Sequence, residues 1–351
     1  MLRLPYQDYE TRTPKPLEQL RESFYSRSME LPDELLVGAI DSHVHAGPVL
    51  SSNPGHLDPI EAALDARAAG LRSIVYYSVF GEAAGVAWMA NRHVPGIETF
   101  GGYLMNSGHG GMNPRAVKTA LYTEGGCRFI SFGSHCTYYQ ASRECTLIDG
   151  KLVPLKDAFP KFRDEELSRA VRIPLTDPVP SELDEILSMI AEKPEVYLNT
   201  GHVSVEEAFR ILDLAERYGI RKVLIAHPVR GMMTVEQQKQ AAARGAFLEG
   251  CLVDWYAPAI AKTHYYVEKE YMDLGCKLPH TVNGASIWMD VVREVGPEHF
   301  VLGTDYGVRG LPTPSQGMRV MITALLDYEF TPEQIRCMTA ENPARLIGLA
   351  G

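Results

Sequence analysis

The segment VGAIDSHVH, residues 37–45, begins an alternation of features that continues along the whole chain. An apolar, β-branched segment comes first, polar or imidazole-bearing residues follow it, and a stretch with helical spacing comes next. The chain contains eight such units. Apolar strands that alternate with amphipathic helices are typical of parallel strands joined by crossover helices. Eight units favour an α/β fold of the closed (β/α)8 TIM-barrel type.

The predicted strands are short, and the predicted helices repeat Leu, Ala and Ile at helical spacing, as at 59–69, 206–218 and 235–244. A doubly wound dinucleotide-binding sheet is disfavoured, because no G-x-G-x-x-G turn follows the first strand. We predict strands at 37–41, 73–78, 99–104, 128–133, 196–200, 222–226, 246–250 and 300–303.

We expect the barrel to occupy residues 37–351, with residues 1–36 as an N-terminal arm of mixed charge. Two connections exceed the usual length of loops that follow barrel strands, 134–180 after the fourth strand and 251–279 after the seventh. Such loops project from the C-terminal face, so the prediction is a distorted barrel in which they form a lid or a pocket wall. A peripheral insertion or a subunit contact is the alternative for both.

The composition argues against several classes of partner. Lys and Arg number 34 against 44 Asp and Glu, a net charge of −10, which leaves no positive excess for nucleic acid or anionic lipid. The N-terminal residues lack the apolar core of a signal peptide and no segment approaches the length of a membrane span, so we expect a cytoplasmic protein. The six Cys contain no C-x-x-C pair, which argues against a zinc ribbon and a disulfide framework. The expected partner is a small-molecule substrate, and a homo-oligomer remains open.

Side chains that can bind metal stand at the ends of several predicted strands. His43 and His45 are two residues apart at the end of the first strand, and the period of a strand points both imidazoles to the same side. His202, His227 and Asp305 follow the fifth, sixth and eighth strands. Because catalytic groups of barrel enzymes collect at the C-terminal ends of strands, this set predicts a divalent-metal site. Zinc suits the set best, with manganese, iron or magnesium as alternatives.

This arrangement resembles the amidohydrolase superfamily of metal-dependent barrel enzymes, which carries H-x-H on strand 1, His on strands 5 and 6, and Asp on strand 8. The resemblance covers residues 37–351, and the closing segment ENPARL, residues 341–346, is similar to the last helix of that superfamily. The stretches 101–106, 110–114 and 200–202 resemble an uncharacterised branch of these proteins.

The resemblance implies roles for the strand-end residues. His43, His45 and Asp305 would bind the catalytic metal, with His202 as a further ligand, and His227 would either ligate or hold the substrate oxygen. Since a carboxylate beside a metal can accept a proton from activated water, Asp305 is the expected catalytic base.

The fourth strand departs from the binuclear members of the superfamily, which carry a carboxylated Lys or a Glu there. The segment RFISFGSH, residues 128–135, has neither, so a single ion is favoured over two. Glu249 on the seventh strand or His135 could nevertheless complete a second site.

Further residues on the C-terminal face are candidates for substrate binding. His109 and His135 follow strands 3 and 4, and Arg230 and Arg309 follow the ends of strands 6 and 8, where paired guanidinium groups could clamp a carboxylate. Trp255 could form a wall for a ring-containing substrate. The alternatives are loop imidazoles bonded to backbone, solvated or helix-capping arginines, and an aromatic residue that pins its loop to the barrel.

Three functions follow from this pattern. The favoured one is a metal-dependent hydrolase that cleaves an amide, lactone or ester bond in a small organic acid. A nonhydrolytic lyase such as a decarboxylase, which the superfamily also contains, is the first alternative. A barrel that binds metal without turnover is the second.

Overall fold

The computed structural model describes residues 33–47, 56–79, 81–149, 151–228, 233–255, 284–307 and 311–349. Eight parallel strands in these ranges form one sheet in which every strand pairs with its neighbours in chain order. Two further strands, β5 and β6, form a separate antiparallel hairpin. The strands are β1 (Ile40–Val44), β2 (Ser73–Tyr76), β3 (Glu98–Leu104), β4 (Cys127–Ser131), β5 (Cys145–Ile148), β6 (Lys151–Pro154), β7 (Tyr197–Asn199), β8 (Val223–Ile225), β9 (Phe247–Cys251) and β10 (Phe300–Gly303).

Helices connect the strands, and the three quoted from sequence begin and end within one residue of their predicted bounds. No helix in the described ranges is both long enough and apolar enough to cross a bilayer. The helices are α1 (Pro59–Ala68), α2 (Ala84–His93), α3 (Pro114–Tyr122), α4 (Tyr138–Ala141), α5 (Leu155–Ala158), α6 (Ser181–Ala191), α7 (Val205–Tyr218), α8 (Val235–Ala243), α9 (Gly284–Val295), α10 (Pro314–Asp327), α11 (Pro332–Arg336) and α12 (Asn342–Ile347).

Hydrogen bonds between the end of β10 and β1 close the sheet into a barrel. The backbone N–H of Asp305 donates to the carbonyl of His43 at 2.9 Å, and that of His45 donates to the carbonyl of Tyr306 at 2.7 Å. The buried carboxylate of Asp41 accepts from the backbone N–H and the hydroxyl of Thr304, at 2.8 and 2.6 Å. The predicted (β/α)8 barrel is therefore confirmed, and its seam lies beside the predicted metal site.

Apolar side chains form two layers, one inside the barrel and one around it. The inner layer packs residues of the strands against one another, and α12 covers its lower end, where Asn342 Nδ2 donates to the carbonyl of Phe300 at 2.7 Å. A larger layer lies between the strands and the surrounding helices. The inner layer comprises Ile40, Val75, Tyr77, Val79, Phe100, Leu104, Phe129, Tyr197, Leu224, Val301, Ala344, Leu346 and Ile347.

The structure departs most from the predicted strand bounds at the first strand, and it adds detail to the connection after β4. The first strand begins at Ile40 rather than Val37, because Gly38 adopts a left-handed turn with φ of 84° and leaves Val37 55% exposed. The connection after β4 carries structure of its own, namely the β5–β6 hairpin, α4 and α5, with a small apolar cluster. The N-terminal arm up to residue 32, and residues 256–279 of the second long connection, lie outside the described residues.

The seam between β10 and β1 leaves no room for a side chain at Gly303, where a Cβ would lie 2.6 Å from the Cβ of His43. We expect Gly303→Ala to lower the free energy of unfolding by about 1–3 kcal/mol, because the methyl group forces the strands apart. Gly81→Ala is the matched control, since the nearest atom to its added Cβ is at 3.8 Å. Urea unfolding measures both variants, and equal stabilities would contradict the prediction.

Candidate metal centre

Three side chains converge at the seam of the barrel. The Nε2 atoms of His43 and His45 are 3.0 Å apart, and Asp305 Oδ1 lies 3.2 Å from Nε2 of His45 and 3.6 Å from Nε2 of His43. His43 and Asp305 are buried and His45 is half-buried. We call these residues the seam group. Their convergence confirms that the H-x-H spacing brings both imidazoles to one side.

The surroundings of the seam group set the orientation of its imidazoles. His45 Nδ1 lies 2.8 Å from the carbonyl oxygen of Tyr77, which can only accept, so Nδ1 donates to it and Nε2 is the nitrogen that faces His43 and Asp305. The Tyr77 ring stacks on that of His43 at 3.9 Å and on Phe129 at 4.0 Å. Since a metal-binding imidazole needs its other nitrogen held, these contacts prepare His45 as an Nε2 ligand.

Backbone irregularities direct the side chains into the barrel. The pairing of β1 with β2 shifts register between Asp41 and Val44, and such a bulge re-aims the residues within it, here including His43. Asp305 and His227 have φ of 53° and 44°, in the left-handed region that non-glycine residues avoid. Strain of this kind is concentrated at functional sites, and both residues stand two positions after a strand end.

A second set of polar side chains lies on the other side of the His43 ring. Its members are His227, Glu249 and Cys251, all buried, and we call them the β8–β9 group. Glu249 Oε1 lies 2.8 Å from His43 Nδ1, and Glu249 Oε2 lies 3.7 Å from His227 Nε2. Cys251 Sγ lies 3.8 Å from His43 Nδ1. Asp254 Oδ1 approaches His227 Nδ1 at 3.3 Å.

Mutual electrostatics hold the carboxylates in their charged form. Burial alone would raise the pKa of Asp305, but His43 and His45 bring it well below its usual range. Burial would likewise raise the pKa of Glu249, and His43 and His227 lower it instead. Against the cost of burial, Asp254 and Glu249 raise the pKa of His227 to about 9. Protons on the imidazoles thus balance the negative charge of the carboxylates. A bound cation would supply the same positive charge in place of these protons.

Three other predicted residues, His202, His135 and His109, do not belong to either group among the described residues. The ring of His202 is 5.1 Å from that of His227 and 5.4 Å from that of His135, but its ligand atoms belong to neither convergent group among the described residues. His135 Nδ1 bonds to the buried carboxylate of Glu144. His109 is half-buried on a turn after β3. Ligation by His202 and substrate contacts from His109 and His135 stay predictions.

The remaining predicted substrate contacts are Trp255, Arg230 and Arg309. Trp255 is 6% exposed and packs against Trp288 with ring centroids 5.5 Å apart, which supports the alternative that it pins the loop to the barrel. Arg230 and Arg309 lie outside the described residues.

Sequence reasoning did not single out Tyr77, Asp254 or Cys251. One signal was available, because Glu249 and Cys251 are two residues apart on β9, the same spacing that made the H-x-H pair informative. Tyr77 acts through its ring and its backbone carbonyl, and neither leaves a pattern in a sequence.

The seam group suits a divalent cation. It offers two imidazole nitrogens and one carboxylate, the donors that zinc and similar ions take in catalytic sites. Glu249 Oε2 is buried and has no hydrogen-bond partner among the described residues, so the centre also holds acceptor capacity that the protein leaves unused.

Known proteins that are similar to this chain have the same barrel fold. Residues 38–249 match a family described as "Family of unknown function (DUF6282)". No curated protein sequence matches the chain. The predicted likeness to the amidohydrolase superfamily is confirmed at the level of the fold by the three solved structures described next.

The probable dipeptidase PvdM from Pseudomonas aeruginosa has a TM-score of 0.60 at 11% identity, over 93% of this chain and 98% of its own. A putative 2-pyrone-4,6-dicarboxylic acid hydrolase from Pseudomonas putida has a TM-score of 0.50 at 12% identity, over 89% and 98% of the two chains. An amidohydrolase from Burkholderia multivorans with bound Zn has a TM-score of 0.51 at 11% identity, over 89% and 99%.

Removal of one seam imidazole tests the metal centre. We expect His45→Ala to weaken zinc binding by about 100-fold or more and to keep the fold, since His45 is half-buried and its other nitrogen bonds to a backbone carbonyl. Competition with a chromophoric chelator measures the affinity. His93→Ala, which removes an exposed imidazole at the end of α2, should bind zinc like the unaltered protein. Wild-type affinity in His45→Ala would exclude His45 as a ligand.

Proposed function

Because this chain belongs to the DUF6282 family, whose function is unknown, we propose an activity from its own geometry. We propose a metal-dependent hydrolase that cleaves an amide, lactone or ester bond in a small, carboxylate-bearing substrate. The observation that carries the proposal is the convergence of His43, His45 and Asp305 where β10 meets β1, at the C-terminal mouth of the barrel. Active sites of barrel enzymes lie at this mouth.

A divalent cation held by the seam group would activate water and polarise the bond to be cleaved. The protein's own part begins with orientation. The carbonyl of Tyr77 fixes the tautomer of His45, and Glu249 fixes Nδ1 of His43, so both Nε2 atoms point to one place. The stacked ring of Tyr77 limits rotation of His43. Preorganised donors of this kind need no rearrangement when the substrate binds.

Asp305 is the proposed base. Its carboxylate stays ionised because the neighbouring imidazoles lower its pKa, and an ionised carboxylate can accept a proton from water held beside it. The left-handed backbone at Asp305 turns the side chain toward the two Nε2 atoms, while its N–H remains bonded to the carbonyl of His43. The carboxylate is therefore held by the same bonds that close the barrel.

The proposed substrate contacts come from the loops above the mouth. His135, held by the buried Glu144, would present Nε2 as a proton donor to the leaving group. Arg230 and Arg309 would bind a substrate carboxylate, as the sequence predicts. Zinc is the proposed ion, because one relative of the same fold was solved with it and because imidazole and carboxylate are common zinc ligands.

The first substrates to test follow from the relatives of similar fold, a probable dipeptidase and a putative pyrone dicarboxylate hydrolase. We expect zinc-loaded protein to hydrolyse at least one member of a panel of dipeptides, N-acyl amino acids and carboxylated lactones. A chelator should abolish the activity and added zinc should restore it. A panel without chelator-sensitive turnover would count against hydrolysis of this substrate class.

Substitution of the proposed base gives the decisive comparison. We expect Asp305→Asn to cut kcat by about 100-fold or more with the fold retained, because an amide cannot accept a proton from water. Asp213→Asn, an exposed position on α7, is the control and should leave kcat unchanged. Near-normal kcat in Asp305→Asn at full metal loading would move the base elsewhere.

A further inference from the structure

The β8–β9 group has the composition of a metal site in its own right. One ligand atom from each of His43, His227, Glu249 and Cys251 lies within 4.8 Å of all the others, and the four residues are buried. We propose that His227, Glu249 and Cys251 bind a second divalent cation of the thiophilic class, such as zinc, next to the Nδ1 side of His43. The sequence favoured one ion, since the fourth strand lacks a bridging Lys or Glu, whereas here β9 supplies the carboxylate.

His227 is oriented to present Nε2 to this site. Asp254 lies 3.3 Å from His227 Nδ1 and holds that nitrogen, so Nε2 is the nitrogen that faces Glu249 and the proposed ion. A carboxylate behind a ligating imidazole is the usual arrangement in zinc proteins. The left-handed backbone at His227, φ of 44°, places the ring in this position.

The two oxygens of Glu249 have different surroundings. Oε1 is bonded to His43 Nδ1 at 2.8 Å and so positions a residue of the seam group. Oε2 has no hydrogen-bond partner among the described residues, lies 3.7 Å from His227 Nε2, and belongs to a side chain with 0% exposure. Leaving a buried carboxylate oxygen unpaired is costly, and a cation at Oε2 would remove that cost.

The charge of Glu249 supports the same conclusion. The ion pairs that Glu249 makes within the described residues are with the imidazoles of His43 and His227. Apart from these two imidazoles, a cation at the β8–β9 group would supply the counter-charge that this fully buried carboxylate needs.

Cys251 determines the class of cation. Its Sγ lies 3.8 Å from His43 Nδ1, and as it stands two residues after Glu249 on β9, both side chains face the same side of the strand. Thiolate with imidazole selects zinc and similar ions over magnesium or calcium, which take oxygen ligands. The second site does not depend on the proposed hydrolysis, because its test measures binding and absorption.

Cobalt titration of the metal-free, reduced protein provides the test, since a cobalt–thiolate bond produces a near-ultraviolet charge-transfer band. We expect this band in the unaltered protein and about two cobalt ions per chain at saturation. Cys251→Ser should lose the band and about one equivalent of cobalt. Cys127→Ser, which alters a buried thiol at the start of β4, is the matched control and should keep both. Because His45 lies only in the seam group, His45→Ala should also keep the band.

Either of two results would overturn the proposal: no thiolate band in the unaltered protein at saturating cobalt, or a band of full strength in folded Cys251→Ser. If Cys251→Ser does not fold, cadmium NMR of the unaltered protein decides, since sulfur ligation shifts the resonance far from that of nitrogen and oxygen sites. A thiolate band without turnover on the substrate panel would support the second site and count against hydrolysis. Turnover without the band would do the reverse.

Discussion

The bonds that join β10 to β1 are the constraint on which the centre depends. Asp41 is fully buried, and burial raises its pKa to about 7 despite the three donors it accepts from. Those donors are the N–H of His43, at 3.2 Å, and the N–H and hydroxyl of Thr304. Asp41 therefore ties the residue before Asp305 to the strand that carries His43. Closure of the barrel and the geometry of the seam group therefore depend on the same few residues.

The side chains of the proposed metal centre are held in place by specific contacts with the residues behind them. The ring of Tyr77 supports His43, and its carbonyl sets the tautomer of His45, while its hydroxyl bonds to Tyr197 at 2.7 Å within the inner core. Tyr77 thus connects the apolar interior of the barrel to the base of the polar centre. Packing in the barrel limits the movement of the imidazoles, which is what a centre needs to hold a cation at fixed distance.

His43 lies between two polar groups that differ in chemistry. Its Nε2 faces His45 and Asp305, and its Nδ1 faces Glu249 and Cys251. Buried carboxylates on both sides are tolerated because imidazoles stand between them, and in the proposed loaded state cations take over that role. In that state a carboxylate from β9, rather than one from the fourth strand, would balance the charge of the two cations.

The sequence by itself determined the barrel. Strands and helices each have a characteristic spacing of apolar residues, and each spacing reflects one local geometry. It also determined that His43, His45 and Asp305 meet, since parallel strands of one barrel end at the same face. It did not determine the partner of Glu249, the role of Tyr77, or whether His202 approaches closely enough to ligate. A bulge in β1, two left-handed residues and the stacking of rings decide these distances, and they arise from contacts between residues far apart in the chain. Only the tertiary structure could place Cys251 beside His43, because distances of a few ångströms between strands depend on register and packing rather than on residue type.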